Sequence, residues 1–149
     1  MVNNRSVPAN IVLPHIYYDN VETSLNWLTA TFGFREYYRF EQPDGQLHGA
    51  LLHLDSAWVM LKNSNPSQIS PAKLGYSTQT LMIFVEDIDL HYERTKLAGA
   101  NIVEALNETE YGERHYVVQD IEGHHWMFSK HVRDVSPDEW GAVIASSSM

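Results

Sequence analysis

The chain has 149 residues, no cysteine, and 19 acidic against 10 basic side chains, for a formal net charge of -9. Without cysteine there is no disulfide, no thiolate nucleophile and no cysteine-ligated zinc or iron–sulfur centre. The acidic balance repels a phosphate backbone, no apolar run reaches transmembrane length, and the first eight residues carry no apolar signal region.

Neither nucleic acid nor a membrane is therefore an expected partner, and a soluble cytoplasmic protein is expected. A chain of this size buries about 68–70% of the surface exposed when unfolded, enough for one domain or two small modules sharing a core.

Residues 1–10 read as a loose lead-in. Residues 11–18 read as a strand interrupted by Pro14, which implies an edge position or an N–H turned away from a partner. Asn20 has the side chain of a helix N-cap. Val21, Leu25, Leu28 and Phe32 follow on one helical face, and Gly33 closes the helix. Residues 34–41 form a second strand, Pro43-Asp44-Gly45 turns it, and residues 47–54 and 58–62 supply two more strands.

Residues 64–76 are polar, with Pro66, Pro71 and Gly75, and read as a linker. The order then repeats. Residues 78–85 are a strand, Asp87 is an N-cap, residues 88–98 are a helix stopped at Gly99, and residues 101–106 are a strand. Two further strands, 116–119 and 126–128, flank the turn Asp120-Ile121-Glu122-Gly123. Beyond residue 130, Ser136-Pro137-Asp138-Glu139 is a capping box with proline at the first helical position. A short helix is expected there, then a disordered tail from Ala145.

Strand–helix–strand–strand–strand thus occurs twice, about 67 residues apart, with Asn20-Val21-Glu22 answered by Asp87-Ile88-Asp89. One such βαβββ module has a helix on one sheet face and nothing on the other. Two modules, 11–63 and 77–130, are expected to enclose a cleft between their uncovered faces. The result is one α+β domain over 11–130, a mostly antiparallel, cleft-shaped sheet with helices outside.

The closing hairpin, Tyr111-Gly112-x-Arg114 followed by Asp120-x-x-Gly123-x-x-Trp126-x-Phe128, resembles that of the vicinal-oxygen-chelate superfamily, which contains glyoxalase I, extradiol dioxygenases and bleomycin-resistance proteins. The openings of both modules, running from Ile16-Tyr17-Tyr18 to Phe32-Gly33-Phe34 and from Phe84-Val85 to Ala98-Gly99-Ala100, are similar to those of bacterial glyoxalase-like proteins. The likeness is nearest to the bleomycin-resistance-like and PhnB-like branch.

Metal-dependent members of that superfamily take His, Gln or Glu ligands from four strands. Aligned by the flanking motifs, those positions hold Leu13, Met60, Thr80 and Met127. None is an ordinary ligand for Zn²⁺, Ni²⁺ or Fe²⁺, which want imidazole or carboxylate. No metal site and no cofactor are expected. A slip of two residues would bring in His15 and His125, which keeps a divalent metal as the alternative and makes this pair the candidates for acid–base work.

Strand alternation groups Leu13, His15 and Tyr17, then Trp58, Met60 and Lys62, then Thr80 and Met82, then His125, Met127 and Ser129. By the resemblance these are cleft faces. Tyr111 and Arg114 sit at the mouth of the last hairpin, with an ion pair to Glu110 or Glu113 as the plain structural role of Arg114. Trp126 alternates away from Met127 and is expected under a helix. His48, His53, His91, His115, His124 and His131 share no spacing and read as surface or turn residues.

The expected function is metal-independent binding of an organic ligand, cationic or aromatic, in an apolar cleft of a homodimer. The alternatives are a metal-dependent lyase, isomerase or dioxygenase, and a homodimer with a vestigial pocket.

Overall fold

The structure, a computed structural model, describes residues 2–145. The chain divides into two compact units, Met1–Ile69 and Ser70–Met149. Each repeats the same order of elements.

In the first unit, β1 (His15–Tyr18) is followed by α1 (Val21–Phe32), β2 (Arg35–Glu41), β3 (Leu47–Leu54) and β4 (Ala57–Asn63). They form one four-stranded sheet in the order β1-β4-β3-β2, with β1 parallel to β4 and the other pairs antiparallel. The strand expected over 11–18 begins only at His15. Pro14 has no N–H for the ladder, and its carbonyl accepts from Met60 N–H at 2.9 Å, so pairing starts at the next residue.

Helix α1 begins where the sequence says it should. The Asn20 side chain accepts from Thr23 N–H at 3.0 Å, and Gly33 leaves the helix at φ 86°. Its buried face includes Val21, Leu25, Leu28 and Phe32. With Ile16, Tyr18, Ala50, Leu52, Val59 and Leu61, none more than 2% exposed, these make the core of the unit. Each such large apolar side chain contributes on the order of 1.5–3 kcal/mol.

The second unit holds α2 (Pro71–Leu74), β5 (Thr80–Phe84), α3 (Ile88–Leu97), β6 (Asn101–Glu108), β7 (Glu113–Gln119) and β8 (His125–His131). Its sheet has the order β5-β8-β7-β6, again with one parallel pair, β5 and β8. Asp87 caps α3 through Leu90 N–H. The core is Ile83, Ile88, Tyr116, Val118, Trp126 and Phe128.

The α+β class and the two βαβββ modules are as expected, each module forming its own four-stranded sheet. The polar stretch read as a linker contains α2, capped by Ser70 and opened by Pro71. A 3-10 turn, Pro137–Trp140, stands at the expected capping box, where Glu139 accepts from Ser136 N–H at 2.9 Å. The expected disordered tail lies outside the described residues, except for Ala145.

Candidate functional site

In the first unit, alternation sends Ile16, Tyr18, Val59 and Leu61 into the core and turns His15, Tyr17, Trp58, Met60 and Lys62 to the other face. His15 lies opposite Met60, and Met60 opposite Leu51. Aromatic rings cross the same sheet. His53 stacks on Trp58 at 4.7 Å, Trp58 meets Tyr37 edge-on at 5.5 Å, and Tyr37, Tyr38 and Phe40 follow at 5.5 and 6.3 Å.

Two local features of sequence permit this run. The β2 register slips between Glu36 and Tyr38, bringing the rings of the consecutive residues Tyr37 and Tyr38 together. Gly49 leaves room for Phe40, whose ring would lie 2.4 Å from an added Cβ. Residues 4–8 approach the edge of the run, where Tyr37 Oη donates to Arg5 carbonyl at 3.3 Å, and a hollow of about 320 Å³ separates them from Tyr37 and Trp58.

In the second unit the corresponding face carries three rows. The first runs Thr80, His125, Gln119, Asn101 and the second Met82, Met127, Val117, Glu104. The third runs Phe84, Ser129, His115, Asn107. Three members of the first row form a hydrogen-bonded chain, and Glu104 of the second row ties two members of the third. Asn101 Nδ2 donates to Gln119 Oε1 at 2.7 Å, and Gln119 Nε2 meets His125 Nε2 at 2.9 Å. Asn107 and His115 both reach Glu104, at 2.8 Å each, and together they hold its carboxyl below the usual range, Asn107 contributing most. His115 is 4% exposed, and its Nδ1 is buried without a partner. Glu113 joins Ser129 Oγ at 3.1 Å to His131 Nδ1 at 2.9 Å.

The turn between β7 and β8 is tied by Asp120. Its Oδ1 accepts from Glu122 N–H and His124 N–H, and its Oδ2 from the Trp126 indole, each at 3.0 Å. This explains the spacing Asp-x-x-Gly-x-x-Trp: one carboxylate serves the turn and anchors the buried indole. Beside the turn, Ala72 N–H donates to the Glu122 carbonyl at 3.0 Å, so α2 leans on it. A hollow of about 640 Å³ opens between α2 and the first polar row.

Of the residues singled out by sequence, His15, Tyr17, Trp58 and Met60 share the face of the first sheet opposite its Ile16–Tyr18–Val59–Leu61 core face. Thr80, Met82, His125 and Met127 share that of the second. Leu13 precedes β1. Tyr111 and Arg114 belong to neither group. Tyr111 rests on Trp140, ring centroids 5.2 Å apart, and Arg114 pairs with Asp89 at 2.7 Å, not with Glu110 or Glu113. The reason is alternation: Arg114 lies next to His115 on β7 and points to the α3 side, where Asp89 sits in the first turn of the helix. Trp126 is fully buried, parallel to Phe128.

Two histidines read as surface residues are buried. His91 Nδ1 meets Tyr116 Oη at 2.6 Å, and His115 is held by Glu104. His115, Val117 and Gln119 alternate on β7, so a stricter period-two reading of that strand would have found the missed members of the polar rows.

A family model described as the Glyoxalase/Bleomycin resistance protein/Dioxygenase superfamily matches residues 10–128. The chain belongs to this superfamily. Among curated proteins, Mb0911c of Mycobacterium bovis is 33% identical over 138 residues, covering 89% of this chain and 91% of that one. Rv0887c of Mycobacterium tuberculosis is 33% identical over 138 residues, covering 89% and 81%. Among solved structures, TioX from Micromonospora sp. ML1 has 32% identity and a TM-score of 0.68, covering 80% of this chain and 97% of that one. The α+β architecture of paired βαβββ modules is the glyoxalase/bleomycin-resistance fold.

Superfamily membership raises the question of a metal. The aligned positions Met60 and Met127 offer thioethers, Thr80 a hydroxyl and Leu13 nothing. Met127 lies between Met82 and Val117 in the sheet, with no carboxylate or imidazole in register beside it. His15 faces Met60, and His125 has its Nε2 engaged by Gln119. This donor set does not suit a hard divalent ion, which wants several imidazole or carboxylate ligands.

Proposed function

We propose that this superfamily member binds an aromatic organic molecule non-covalently and without a metal, as a sequestering protein of the bleomycin-resistance type. The observation that carries this reading is the ring run His53–Trp58–Tyr37–Tyr38–Phe40 across the first sheet. Aromatic faces and edges attract flat π systems, with each favourable pair worth about 0.5–1.5 kcal/mol beyond area burial. Tyr37 keeps 52% of its surface exposed, so the run has capacity for a further ring.

On the second unit, Met82 and Phe84 are 44% and 55% exposed. Such exposed apolar side chains support pairing with a second copy, and hence a homodimer as the working form. Sedimentation at two protein concentrations tests the pairing, and a monomer throughout would remove it.

Of the four tryptophans, Trp58 is the one in the ring run, so the part of the quenching that Trp58→Leu abolishes reports binding there. Titration with planar anionic, neutral and cationic bicyclic probes is expected to quench Trp58 saturably for at least one class. Trp58→Leu, read by calorimetry because the variant lacks the reporter, should weaken that binding about tenfold, the effect of losing roughly 1.4 kcal/mol of ring contact. Absence of a saturable response to all three classes would refute the reading.

A further inference from the structure

The hollow beside α2 is a separate feature from the aromatic run and lies wholly in the second unit. Tyr76, Ser77, Asn101, Gln119, Ile121 and His125 are among its lining residues, and its volume is about 640 Å³. Its α2 wall is fixed in place. Ala72 N–H is bonded to the Glu122 carbonyl, and Gly123, at φ 91°, lets that wall approach so closely that an added Cβ would lie 3.1 Å from Ala72 N.

The one carboxylate in the lining is already engaged. Asp120 is the one ionisable acid among the lining residues, and its two oxygens receive the Glu122 and His124 backbone N–H groups and the Trp126 indole. Among the described residues no lysine or arginine lines the space. What it offers is a directed chain of amides. Asn101 Nδ2 donates to Gln119 Oε1, which leaves the Gln119 NH₂ group facing His125 Nε2. An amide nitrogen only donates, so His125 Nε2 must accept. Its proton then sits on Nδ1, and that N–H has no partner among the described residues. The Asn101 carboxamide oxygen and the second lone pair of the Gln119 oxygen are acceptors on the same row. Tyr76 and Ile121 add apolar surface.

We propose that this hollow is a second binding site, for a neutral planar heterocycle of the lactam class. Its carbonyl accepts from His125 Nδ1–H and its ring N–H donates to a carboxamide oxygen of the Asn101–Gln119 pair. His125 and Asn101 touch the ligand, and Gln119 both touches it and sets the His125 tautomer.

The test uses the whole protein and two probes, isoquinolinone and N-methylisoquinolinone. Long-range proton–nitrogen spectra, with His125 assigned through His125→Gln, should show the Nδ1–H tautomer. Isoquinolinone should shift the His125, Asn101 and Gln119 signals saturably. The N-methyl analogue, which lacks the donor, and Gln119→Leu, which lacks the relay, should each bind about tenfold more weakly, the effect of one net hydrogen bond. An Nε2–H tautomer at His125 would mean the amide chain runs the other way and would overturn the proposal. So would equal affinity for the two probes, or no saturable shift up to the solubility limit. Shifts confined to the Trp58 indole would also overturn it while leaving the aromatic-binding reading of the first unit intact.

Discussion

The Trp126 indole N–H donates to Asp120 Oδ2 at 3.0 Å across the turn that joins β7 to β8. The indole is completely buried and Asp120 is 6% exposed, so neither group finds water in exchange for the other. Asp120→Ala is expected to cost about 2–4 kcal/mol, because a charged acceptor serving three donors is lost. Asp120→Asn should cost less, keeping an oxygen for the two backbone N–H groups but turning its own NH₂ toward the indole. A double-mutant cycle with Trp126→Phe, read by urea denaturation, should show coupling of about 1–2 kcal/mol. Additive losses would mean the turn, not the indole bond, carries the effect.

Gly123 answers to two separate demands. Its φ of 91° disfavours any Cβ, and an added Cβ would also press on Ala72 N at 3.1 Å and Pro71 Cβ at 3.2 Å. Gly123→Ala should therefore cost about 1–3 kcal/mol, more than the 1–2 kcal/mol typical of the left-handed backbone alone if the contact does not relax. Gly123→Asn tolerates that backbone better and meets the same contact. Equal losses for the two variants would assign the cost to the α2 contact. Faster hydrogen exchange at Ala72 N–H would report that α2 has moved.

How far the sequence carries can be seen at particular residues. Asn20, Asp87, Gly33 and Gly99 marked the helix ends because capping is local chemistry, legible within four residues. The duplication was legible because both modules use the same caps. Period-two alternation was enough to put Met60 on one face of β4 with Trp58 and Lys62, and Met82 and Met127 fall in register on β5 and β8 in the other unit. Arg114 was given the wrong partner because the pair Arg114–Asp89 spans 25 positions and depends on where α3 lies. The Tyr37–Tyr38 ring contact depends on a bulge, and a bulge breaks the very alternation by which strands are read. Buried His91 and His115 were missed because a histidine's burial is decided by a partner, here Tyr116 and Glu104, that local pattern does not supply.

Tyr116 sits at the centre of the second unit's core. Its hydroxyl donates to Thr95 Oγ1 at 2.9 Å and meets His91 Nδ1 at 2.6 Å, and burial pushes its pKa upward. With the phenol proton committed to Thr95, His91 contributes Nδ1–H. Tyr116→Phe keeps the ring packing and removes both contacts from a fully buried place. A loss of about 1–3 kcal/mol in urea denaturation is expected. Thr95→Val, which removes only the acceptor, should cost less. An unchanged midpoint in Tyr116→Phe would mean the polar triad adds nothing to the apolar core around it.

Glu104 makes the stability of the second sheet depend on acid. Its carboxyl is held below its ordinary value of 4.5, first by the Asn107 amide and then by His115. A group with a lowered folded-state value binds its proton more readily when unfolded. Its contribution is therefore complete above the ordinary glutamate range and is lost as pH falls through the lowered value. The side chain is 50% exposed, so solvent screening keeps the contribution at pH 7 below about 1 kcal/mol. Glu104→Gln should lower the urea midpoint slightly at pH 7, and the gap from the unaltered protein should close as pH drops from 5 toward 3. The amide can still hydrogen-bond Asn107 and His115, so whatever closes with pH belongs to the charge. A gap of constant size across that interval would instead place the role of Glu104 in shape and hydrogen bonding, with the carboxylate charge contributing nothing.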